Sequence, residues 1–467
     1  MLIVDIQNDR DIDILIEGCY IEENNEDIPF FMADGKITVI PSLEKNLPHK
    51  VLVGLGKQSE LTANKLRNLS ARVARATAEL EGDNISVSLP LTKKMGRDEF
   101  FSVITEGILL TDYSLDKYKS GAKKPRERFF TLANASYEDK KAIEEATVVS
   151  NAINTIRPLV NEPCNELYPE SLLRRIEKIG EEFGFEVSAI DYDGLLEKGL
   201  NGIVSVGKGS EHKPYLIVMR YSGDESGEKI GLIGKGITCD TGGYCLKGRE
   251  SLPYIKGDMA GGANIVGAMC AISKNRLRAN VVGIIPTAEN RISSSAYMSG
   301  DVIKMYSGKT VEVLDTDCEG RMVLADALTY AVKDEKVDKL IDMATLTGLA
   351  GSTFGSLYTP LFGSDEGFTE SFLENAVFTD EDYWRMPLDD RYKSYLNSSI
   401  ADLANKAGAG TITAAMFLKE FTDNKPWIHL DIAATATQYP IVNEYAENAP
   451  TGIGIRTIYR MLGGYSR

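Results

Sequence analysis

The sequence predicts an α/β protein, in which a smaller amino-terminal α/β domain is joined by a helix to a larger α/β domain with a central mixed, mostly parallel sheet. Its length of 467 residues exceeds what one hydrophobic core normally serves. Short apolar runs alternate with amphipathic stretches along the chain. We therefore expect an amino-terminal domain over 1–135, a linker helix over 136–160 and the larger domain over 161–467.

The hydrophobic pattern predicts the elements of each domain in order. The linker helix is expected to begin with a capping box, because Ser136 lies three residues before Asp139, and to stop after Ile156 because Pro158 follows. In the first domain the pattern predicts strands at 2–6, 36–40, 50–55 and 85–91 and helices at 62–80 and 98–113. In the larger domain it predicts strands near positions 186, 203, 215, 229, 280, 311, 338 and 427, alternating with helices.

Composition limits the class of protein. Lys and Arg number 52 against 68 Asp and Glu, and the resulting net charge of -16 disfavours nucleic acid or an anionic membrane as the main partner. No apolar run reaches the length of a membrane span, and the amino terminus has an acidic flank where a secretion signal has a basic one. We therefore expect a soluble, cytoplasmic protein with reduced thiols at its six cysteines.

An acidic segment follows a predicted strand at 310–314 and precedes the apolar-periodic stretch that begins at Met322. The pattern predicts a strand end, a tight turn at Gly320 and a helix start, which is where α/β enzymes keep their sites. So much like charge is unfavourable unless a cation neutralises it. A solvated acidic turn is the simpler alternative. The charged residues of the segment are Asp315, Asp317, Glu319 and Arg321.

A second segment, 230–259, supports the hypothesis that a cation binds to the acidic segment. It begins as a buried strand and carries Lys235, Asp240, Lys247 and Asp258. The chain has only three histidines and no HExxH motif, so a metal site here must be built mainly from oxygen ligands. Four or five carboxylates are enough for two hard or borderline divalent ions. A lysine can join them only as the neutral amine, which requires a lowered pKa.

The triplet Gly234-Lys235-Gly236 also suggests a phosphate-binding loop. That motif needs glycine at position 229 and serine or threonine at position 236, where this chain has Lys229 and Gly236. The phosphate-loop interpretation therefore fails. Taken singly, Lys235 and Lys247 could still be ordinary surface lysines.

At these segments the chain resembles the leucyl aminopeptidase (cytosol aminopeptidase) family of two-metal exopeptidases. The family signature VGKGxTFDxGGxxxK appears as IGKGITCDTGGYCLK, its K-x-D-M-x-G segment as KGDMAG, and its NTDAEGRL as DTDCEGRM. Flanking matches such as LVNEPCNELYP and WIHLDIA follow in the family's order. Together they cover the chain from about residue 155 to its end, whereas the first part carries no comparable motif.

The resemblance implies an aminopeptidase that removes residues from peptides with a free amino terminus. It implies two divalent ions, zinc or manganese, a bridging water as nucleophile, and capture of the substrate's α-amine by one ion. Lys247 would stabilise the oxyanion, and Arg321 would hold a bicarbonate that acts as general base. The implied metal ligands are Lys235, Asp240, Asp258, Asp317 and Glu319, with Asp240 and Glu319 shared by both ions.

The resemblance also implies a substrate pocket and an assembly. The pocket positions carry mostly small or apolar residues, so an apolar amino-terminal side chain is expected, without an assumed preference for leucine. Relatives form hexamers that enclose their active sites, and we expect a homohexamer here. The pocket positions are Ile255, Thr345, Leu346, Gly348, Ala433 and Ala436.

The chain departs from the family pattern beside the expected ligands. Asp315 replaces an asparagine, Cys318 replaces an alanine, and Cys239 and Cys245 are also unusual there. These cysteines could be soft metal ligands or redox sensors, although small buried cysteines are commoner. Two other functions stay open on the residues: a two-metal phosphoesterase, and an accessory nucleic-acid-binding role, which the acidic charge disfavours.

Overall fold

The computed structural model has two large β-sheets, one built before residue 133 and one after residue 185. Each sheet carries helices, so the predicted α/β class is confirmed. Within the described residues, every helix is too short or too polar to span a lipid bilayer. The structure describes residues 1–7, 10–21, 32–44, 46–122, 126–225, 227–437, 441–447 and 449–465.

The amino-terminal sheet forms from β1 (Leu2–Asp5), β2 (Ile14–Ile21), β3 (Ile37–Ile40), β4 (His49–Lys57), β5 (Asn84–Ser88) and β6 (Arg128–Leu132). Their order in the sheet is β1-β6-β5-β2-β4-β3, and β3 pairs antiparallel with β4. Helices α1 (Ala63–Ala78) and α2 (Arg97–Leu109) pack against it. The predicted strands and helices are confirmed, but β2 and β6 are additional. Glu17 and Gly18 interrupt the apolar pattern of β2, which hid this central strand.

The predicted linker helix is α3 (Lys140–Asn161), preceded by a 3-10 turn. Asp139 Oδ2 accepts from the backbone N–H of Ser136 at 2.7 Å, which confirms the capping box. The expected end near Pro158 is wrong, because the helix continues for three more residues. The proline removes one backbone donor, but buried apolar neighbours hold the last turn against the core. These neighbours are Ile156, Leu159 and Val160. The domain limits at 135 and 161 stay a prediction.

The strands after residue 185 are β7 (Glu186–Ile190), β8 (Tyr215–Ser222), β9 (Lys229–Gly234), β10 (Gly236–Asp240), β11 (Asn280–Asn290), β12 (Val302–Lys304), β13 (Thr310–Glu312), β14 (Lys339–Ala344), β15 (Thr359–Gly363), β16 (Tyr383–Arg385), β17 (Leu403–Ala404) and β18 (Trp427–Asp431). The large sheet has the order β16-β15-β18-β14-β9-β11-β8-β7, and β10 also pairs with β11. The pairs from β18 through β14 and β9 to β11 are parallel, whereas β7, β8 and β15 introduce antiparallel pairs. The predicted mixed, mostly parallel sheet is confirmed.

The remaining helices are α4 (Pro169–Phe183), α5 (Tyr192–Lys198), α6 (Asn201–Gly207), α7 (Ala260–Lys274), α8 (Glu319–Lys333), α9 (Gly348–Phe354), α10 (Glu366–Thr379), α11 (Gly410–Lys419) and α12 (Ile455–Met461). The strand predicted near position 203 is wrong, because α6 occupies that stretch. Its first amides are capped from a distance: Asp326 Oδ2 accepts from the N–H groups of Gly202 and Ile203. A short apolar run does not distinguish a strand from such a helix.

Strand β9 shows how both faces of the large sheet are covered. Leu232 packs into the apolar core that includes α3 and α7, whereas the next residue, Ile233, packs into the core that includes α6 and α8. Both side chains are fully buried. Because the parallel strands end at one edge, the loops after β9, β14 and β18 lie side by side there.

A buried polar network joins the amino-terminal helices to the carboxyl-terminal part of the chain. Arg67 of α1 and Glu106 of α2 form an ion pair at 2.8 Å, with each side chain only 2% exposed. The hydroxyl of Tyr465 donates to the other oxygen of Glu106. Close by, Arg456 and Glu381 form a second buried pair at 3.2 Å. Charges buried this deeply depend on their partners.

We expect Glu106→Ala to destabilise the protein by about 3–5 kcal/mol, because Arg67 would stay buried without its carboxylate. Chemical denaturation measures the change in free energy of unfolding. Glu366→Ala is the matched control, because it removes an exposed carboxylate paired with Arg385, and should have little effect. Equal effects of the two substitutions would contradict the importance of the buried network.

Candidate metal centre and active site

The predicted ligands lie at strand ends and helix starts along one edge of the large sheet. Lys235 directly follows β9, and Asp240 is the last residue of β10. Asp258 lies just before α7, after a 3-10 turn. Asp317 lies in the turn that leads into α8, and Glu319 is the first residue of that helix. The fold therefore gathers residues that are up to 84 positions apart.

Lys235 lies at the centre of the first half of the cluster. Its Nζ is 2.8 Å from Asp258 Oδ2 and 2.8 Å from Glu319 Oε1, and it donates to the carbonyl oxygen of Thr345 at 3.0 Å. Gly320 makes this arrangement possible, because a Cβ at that position would lie 2.7 Å from Lys235 Nζ. The tight turn predicted at Gly320 is wrong, since the residue belongs to α8. Its glycine provides space for the lysine.

Lys247 organises the second half of the cluster. Its Nζ lies 2.8 Å from Asp240 Oδ2 and 2.5 Å from Asp317 Oδ1. The loop that carries Lys247 reverses at Gly243, whose φ of +60° lies in the left-handed region. A Cβ there would lie 2.8 Å from Asn290 Oδ1. Glycine is therefore required for the turn and for the close approach.

The carboxylates outweigh the positive charge that surrounds them. Burial raises the pKa of Glu319, and the charge of Asp240 raises it further, although Lys235 opposes both. Burial likewise raises the pKa of Asp258 and of Asp317. For Lys235, burial alone would lower the pKa, but Asp258 and Glu319 together raise it above its ordinary value. The cluster thus favours additional positive charge, which protons or cations can supply.

The donor set fits divalent cations. Asp240, Asp317 and Glu319 each offer a carboxylate oxygen, and these oxygens lie within 4.8 Å of one another. The second oxygen of Glu319 is buried and has no hydrogen-bond donor among the described residues. An unpartnered buried carboxylate oxygen is costly unless a cation or donor completes it. Zinc, manganese and other hard or borderline ions accept such ligands.

The expected pocket and the charged cluster share one cavity of about 1240 Å³. Arg321 contributes to its wall but is only 5% exposed, and its Nε has no acceptor among the described residues. Leu349 and Tyr254 stand at the rim. All six expected pocket residues contribute to the wall, namely Ile255, Thr345, Leu346, Gly348, Ala433 and Ala436.

Two buried polar residues of the site were absent from the sequence-based expectation. Asn290 ends β11 and donates from Nδ2 to Asp240 Oδ1 and to the carbonyl oxygen of Thr316, each at 2.9 Å. It therefore orients a predicted ligand. Asp431 ends β18 and receives hydrogen bonds from the pocket loops. Both residues end strands at the edge that carries the ligands, and that position is the signal that could have found them.

The unusual cysteines do not form a thiolate site together. The group whose ligand atoms converge contains no cysteine among the described residues. Cys239 is buried and faces a neighbouring cavity of about 520 Å³ together with Cys164. Cys318 lines the main cavity, and the Sγ of Cys245 lies 3.6 Å from Ser299 Oγ. The six cysteines are free thiols.

Asp315, the other departure from the family pattern, supports the ligand turn. It accepts from the backbone N–H of Asp317 at 2.8 Å and pairs with Lys406. The side chain of Asn405 bonds both the N–H and the carbonyl oxygen of Asp315. The substitution therefore keeps the capping role and adds a charge that Lys406 neutralises.

Comparison with known proteins agrees with this geometry. The profile of the cytosol aminopeptidase family's catalytic domain matches residues 154–459, and the profile of the family's N-terminal domain matches residues 8–122. A probable cytosol aminopeptidase of Clostridium perfringens (strain 13 / Type A) is 39% identical over 428 residues, which are 90% of this chain and 87% of that protein. A probable cytosol aminopeptidase of Clostridium tetani (strain Massachusetts / E88) is 37% identical over 423 residues, 89% of this chain and 88% of that protein.

A solved structure also shares the whole architecture. It is the bottromycin maturation enzyme BotP in complex with Mn, with a TM-score of 0.87 and 30% sequence identity. The match covers 96% of this chain and 98% of BotP. The likeness in sequence and in structure therefore agrees with the carboxylate-rich cavity described above. The chain therefore belongs to the cytosol aminopeptidase family, and it is a metal-dependent aminopeptidase, a hydrolase of peptide bonds.

Proposed function

We propose that the chain releases the amino-terminal residue of peptides at the main cavity, with two divalent cations bound there. The observation that carries this proposal is the convergence of Asp240, Asp317 and Glu319 oxygens within 4.8 Å of one another. Lys235 and Asp258 would complete the ligand set. The oxygen-rich set suits manganese or zinc, and manganese is the ion named with BotP.

The ligands divide into shared and unshared residues. Asp240 and Glu319 would bind both cations, Lys235 and Asp258 the more tightly held one, and Asp317 the more exchangeable one. Lys235 must lose its proton to bind, so the field of the cation has to reverse the raised pKa that the carboxylates impose. Two such cations would supply Lewis acidity toward the scissile carbonyl, a lowered pKa for a bound water and a binding position for the substrate's α-amine.

Two residues of the chain would act on the reacting groups. Lys247 Nζ would donate a hydrogen bond to the carbonyl oxygen of the scissile bond as negative charge develops there. Its side chain is 24% exposed in the cavity wall, so it can reach a bound peptide. Arg321 would hold an anion such as bicarbonate through its guanidinium, and this anion would accept the proton of the attacking water. No histidine contributes to the cavity wall among the described residues.

The pocket indicates the class of substrate. Gly348, Ala433 and Ala436 leave space, and Ile255 adds an apolar wall, so an apolar amino-terminal side chain can be buried. Peptides with a free amino terminus and an apolar first residue are therefore the proposed substrates.

Metal dependence is the first test of the proposal. We expect a chelator to abolish cleavage of leucine p-nitroanilide, and zinc, manganese or cobalt to restore it, because the carboxylate cluster lacks sufficient positive charge of its own. A phosphate monoester should not be cleaved under the same conditions. Circular dichroism before and after chelation controls for unfolding. Active protein that contains no divalent ion by elemental analysis would show the proposal to be wrong.

The roles of Lys247 and Lys235 can be separated. Lys247→Ala should lower kcat on the order of a hundredfold or more while both metals stay bound, because it removes an oxyanion donor. Lys235→Ala should instead reduce the metal content, and Arg321→Ala should lose less activity than Lys247→Ala because solvent can replace a base. Steady-state kinetics with elemental analysis of each variant provides the measurement. A metal-depleted Lys247→Ala protein would contradict this assignment.

We also propose that six chains assemble in the cytoplasm. Membership of a family with hexameric relatives supports the assembly, and the name shared by the relatives together with the six free thiols supports the compartment. Light scattering of the metal-loaded protein should give the mass of six chains. A fully active species with the mass of one chain would contradict the hexamer.

A further inference from the structure

Two neighbouring loops form part of the pocket wall. One follows β14, includes Thr345 and Leu346 and leads into α9 at Gly348. The other follows β18 and includes Ala433 and Ala436. Their strands pair in parallel, with Ala344 opposite Asp431. The shape of the pocket therefore depends on what holds these two loops in register beyond the strand ends.

The carboxylate of Asp431 bonds to both loops. Its Oδ1 accepts from the N–H groups of Leu346 at 3.1 Å, Thr347 at 3.4 Å and Ala433 at 3.3 Å. Its Oδ2 accepts from the hydroxyl of Thr347 at 2.6 Å. One side chain thus accepts hydrogen bonds from three backbone amides and one hydroxyl just beyond the strand ends.

Asp431 is 1% exposed, and no lysine, arginine or histidine nitrogen lies within ion-pair distance of it in the described part of the chain. A buried carboxylate without a cation is costly unless its oxygens accept several hydrogen bonds. The four donors from the loops supply them. The charge and the loop conformation therefore depend on each other.

The loop after β14 also contacts the cluster of predicted metal ligands. The carbonyl oxygen of Thr345 accepts from Lys235 Nζ at 3.0 Å, and its hydroxyl donates to Asp258 Oδ1 at 2.7 Å. The Oγ1 of Thr347 lies 2.8 Å from that of Thr411 in α11, and accepts from Ala350 N–H at 3.3 Å to cap α9. Residues 345–347 are thus held between the predicted ligands and Asp431.

We propose that Asp431 is a positioning residue that sets the selectivity of the enzyme for the amino-terminal side chain of its substrate. It does not line the cavity, so it would act through the loop amides that it fixes. When Asp431 fixes both loops, the pocket wall keeps its shape around the first side chain of the substrate. A large apolar side chain then makes more contacts with the wall than a small one does, and the difference in their binding free energies is largest. This inference rests on the proposed function, because it concerns the same pocket.

The test compares cleavage of leucine p-nitroanilide with that of alanine p-nitroanilide. Asp431→Ala should reduce the ratio of kcat/KM for the leucine substrate to kcat/KM for the alanine substrate by about tenfold. The change should come mainly from a higher KM for the leucine substrate, because the pocket contacts its side chain equally in the ground state and the transition state. Asp431→Asn should retain most of the ratio, since its carbonyl oxygen can still accept from the three amides. Activities are normalised to bound metal, so a loss of cations does not mimic a loss of selectivity.

Asp326 provides a matched control. It is also a fully buried carboxylate that accepts from backbone N–H groups, those of Gly202, Ile203 and Tyr306, and it lies outside the cavity wall. Asp326→Ala should lower the melting temperature without changing the substrate ratio. An equal change of ratio in this variant, or an unchanged ratio in folded Asp431→Ala, would overturn the inference.

Thr347→Val keeps the test decisive if Asp431→Ala does not fold. It removes the hydroxyl bond to Asp431 Oδ2, together with the hydroxyl contacts to Thr411 and to Ala350 N–H, and leaves the three amide bonds of Asp431 Oδ1 in place. The ratio should shift in the same direction by a smaller factor, whereas an unchanged ratio would count against Asp431. Failure of the proposed function has a different signature, because the unmodified protein would then cleave neither anilide.

Discussion

The concentration of buried carboxylates at one edge of the large sheet is the constraint on which the rest of the site depends. Asp240 and Glu319 are almost withdrawn from water and Asp258 is partly buried, and among the described residues two lysines form the ion pairs with the cluster. Such a group cannot stay ionised without further compensation. At the sheet edge, the loops that follow three parallel strands lie side by side and can hold the charges close together. Divalent cations can then neutralise these charges.

Several features of the fold serve this arrangement. Gly320 leaves room for Lys235 beside α8, Asn290 orients Asp240, and Asp431 bonds the loops that border the carboxylate cluster. The chemistry and the pocket are thereby connected, because the loop after β14 contacts both Lys235 and Asp431. The buried pair of Arg67 and Glu106 and its contact with Tyr465 link the amino-terminal helices to the same body of structure.

The sequence predicted what is local in the chain. The fold class and most strands follow from periodicity, and the charged residues at strand ends point to an oxygen-rich site. The ligand set that includes Lys235, Asp240 and Glu319 is implied by the resemblance to the family's signatures. What depends on distant partners was missed: α6 is a helix because Asp326 caps it from another element, and Gly320 serves a lysine that is 85 positions away. No other charged residue lies beside Asp431 in the segment WIHLDIA, so no neighbouring charge signals its role. Its four hydrogen bonds depend on the pairing of β14 with β18.

Anomalous diffraction from crystals grown with manganese would locate the cations independently of activity. We expect two manganese peaks in each chain, with the carboxylates of Asp240 and Glu319 in contact with both and Lys235 in contact with one. Peaks that lie only on surface carboxylates, with the ion pairs of Lys235 and Lys247 unchanged, would contradict this expectation.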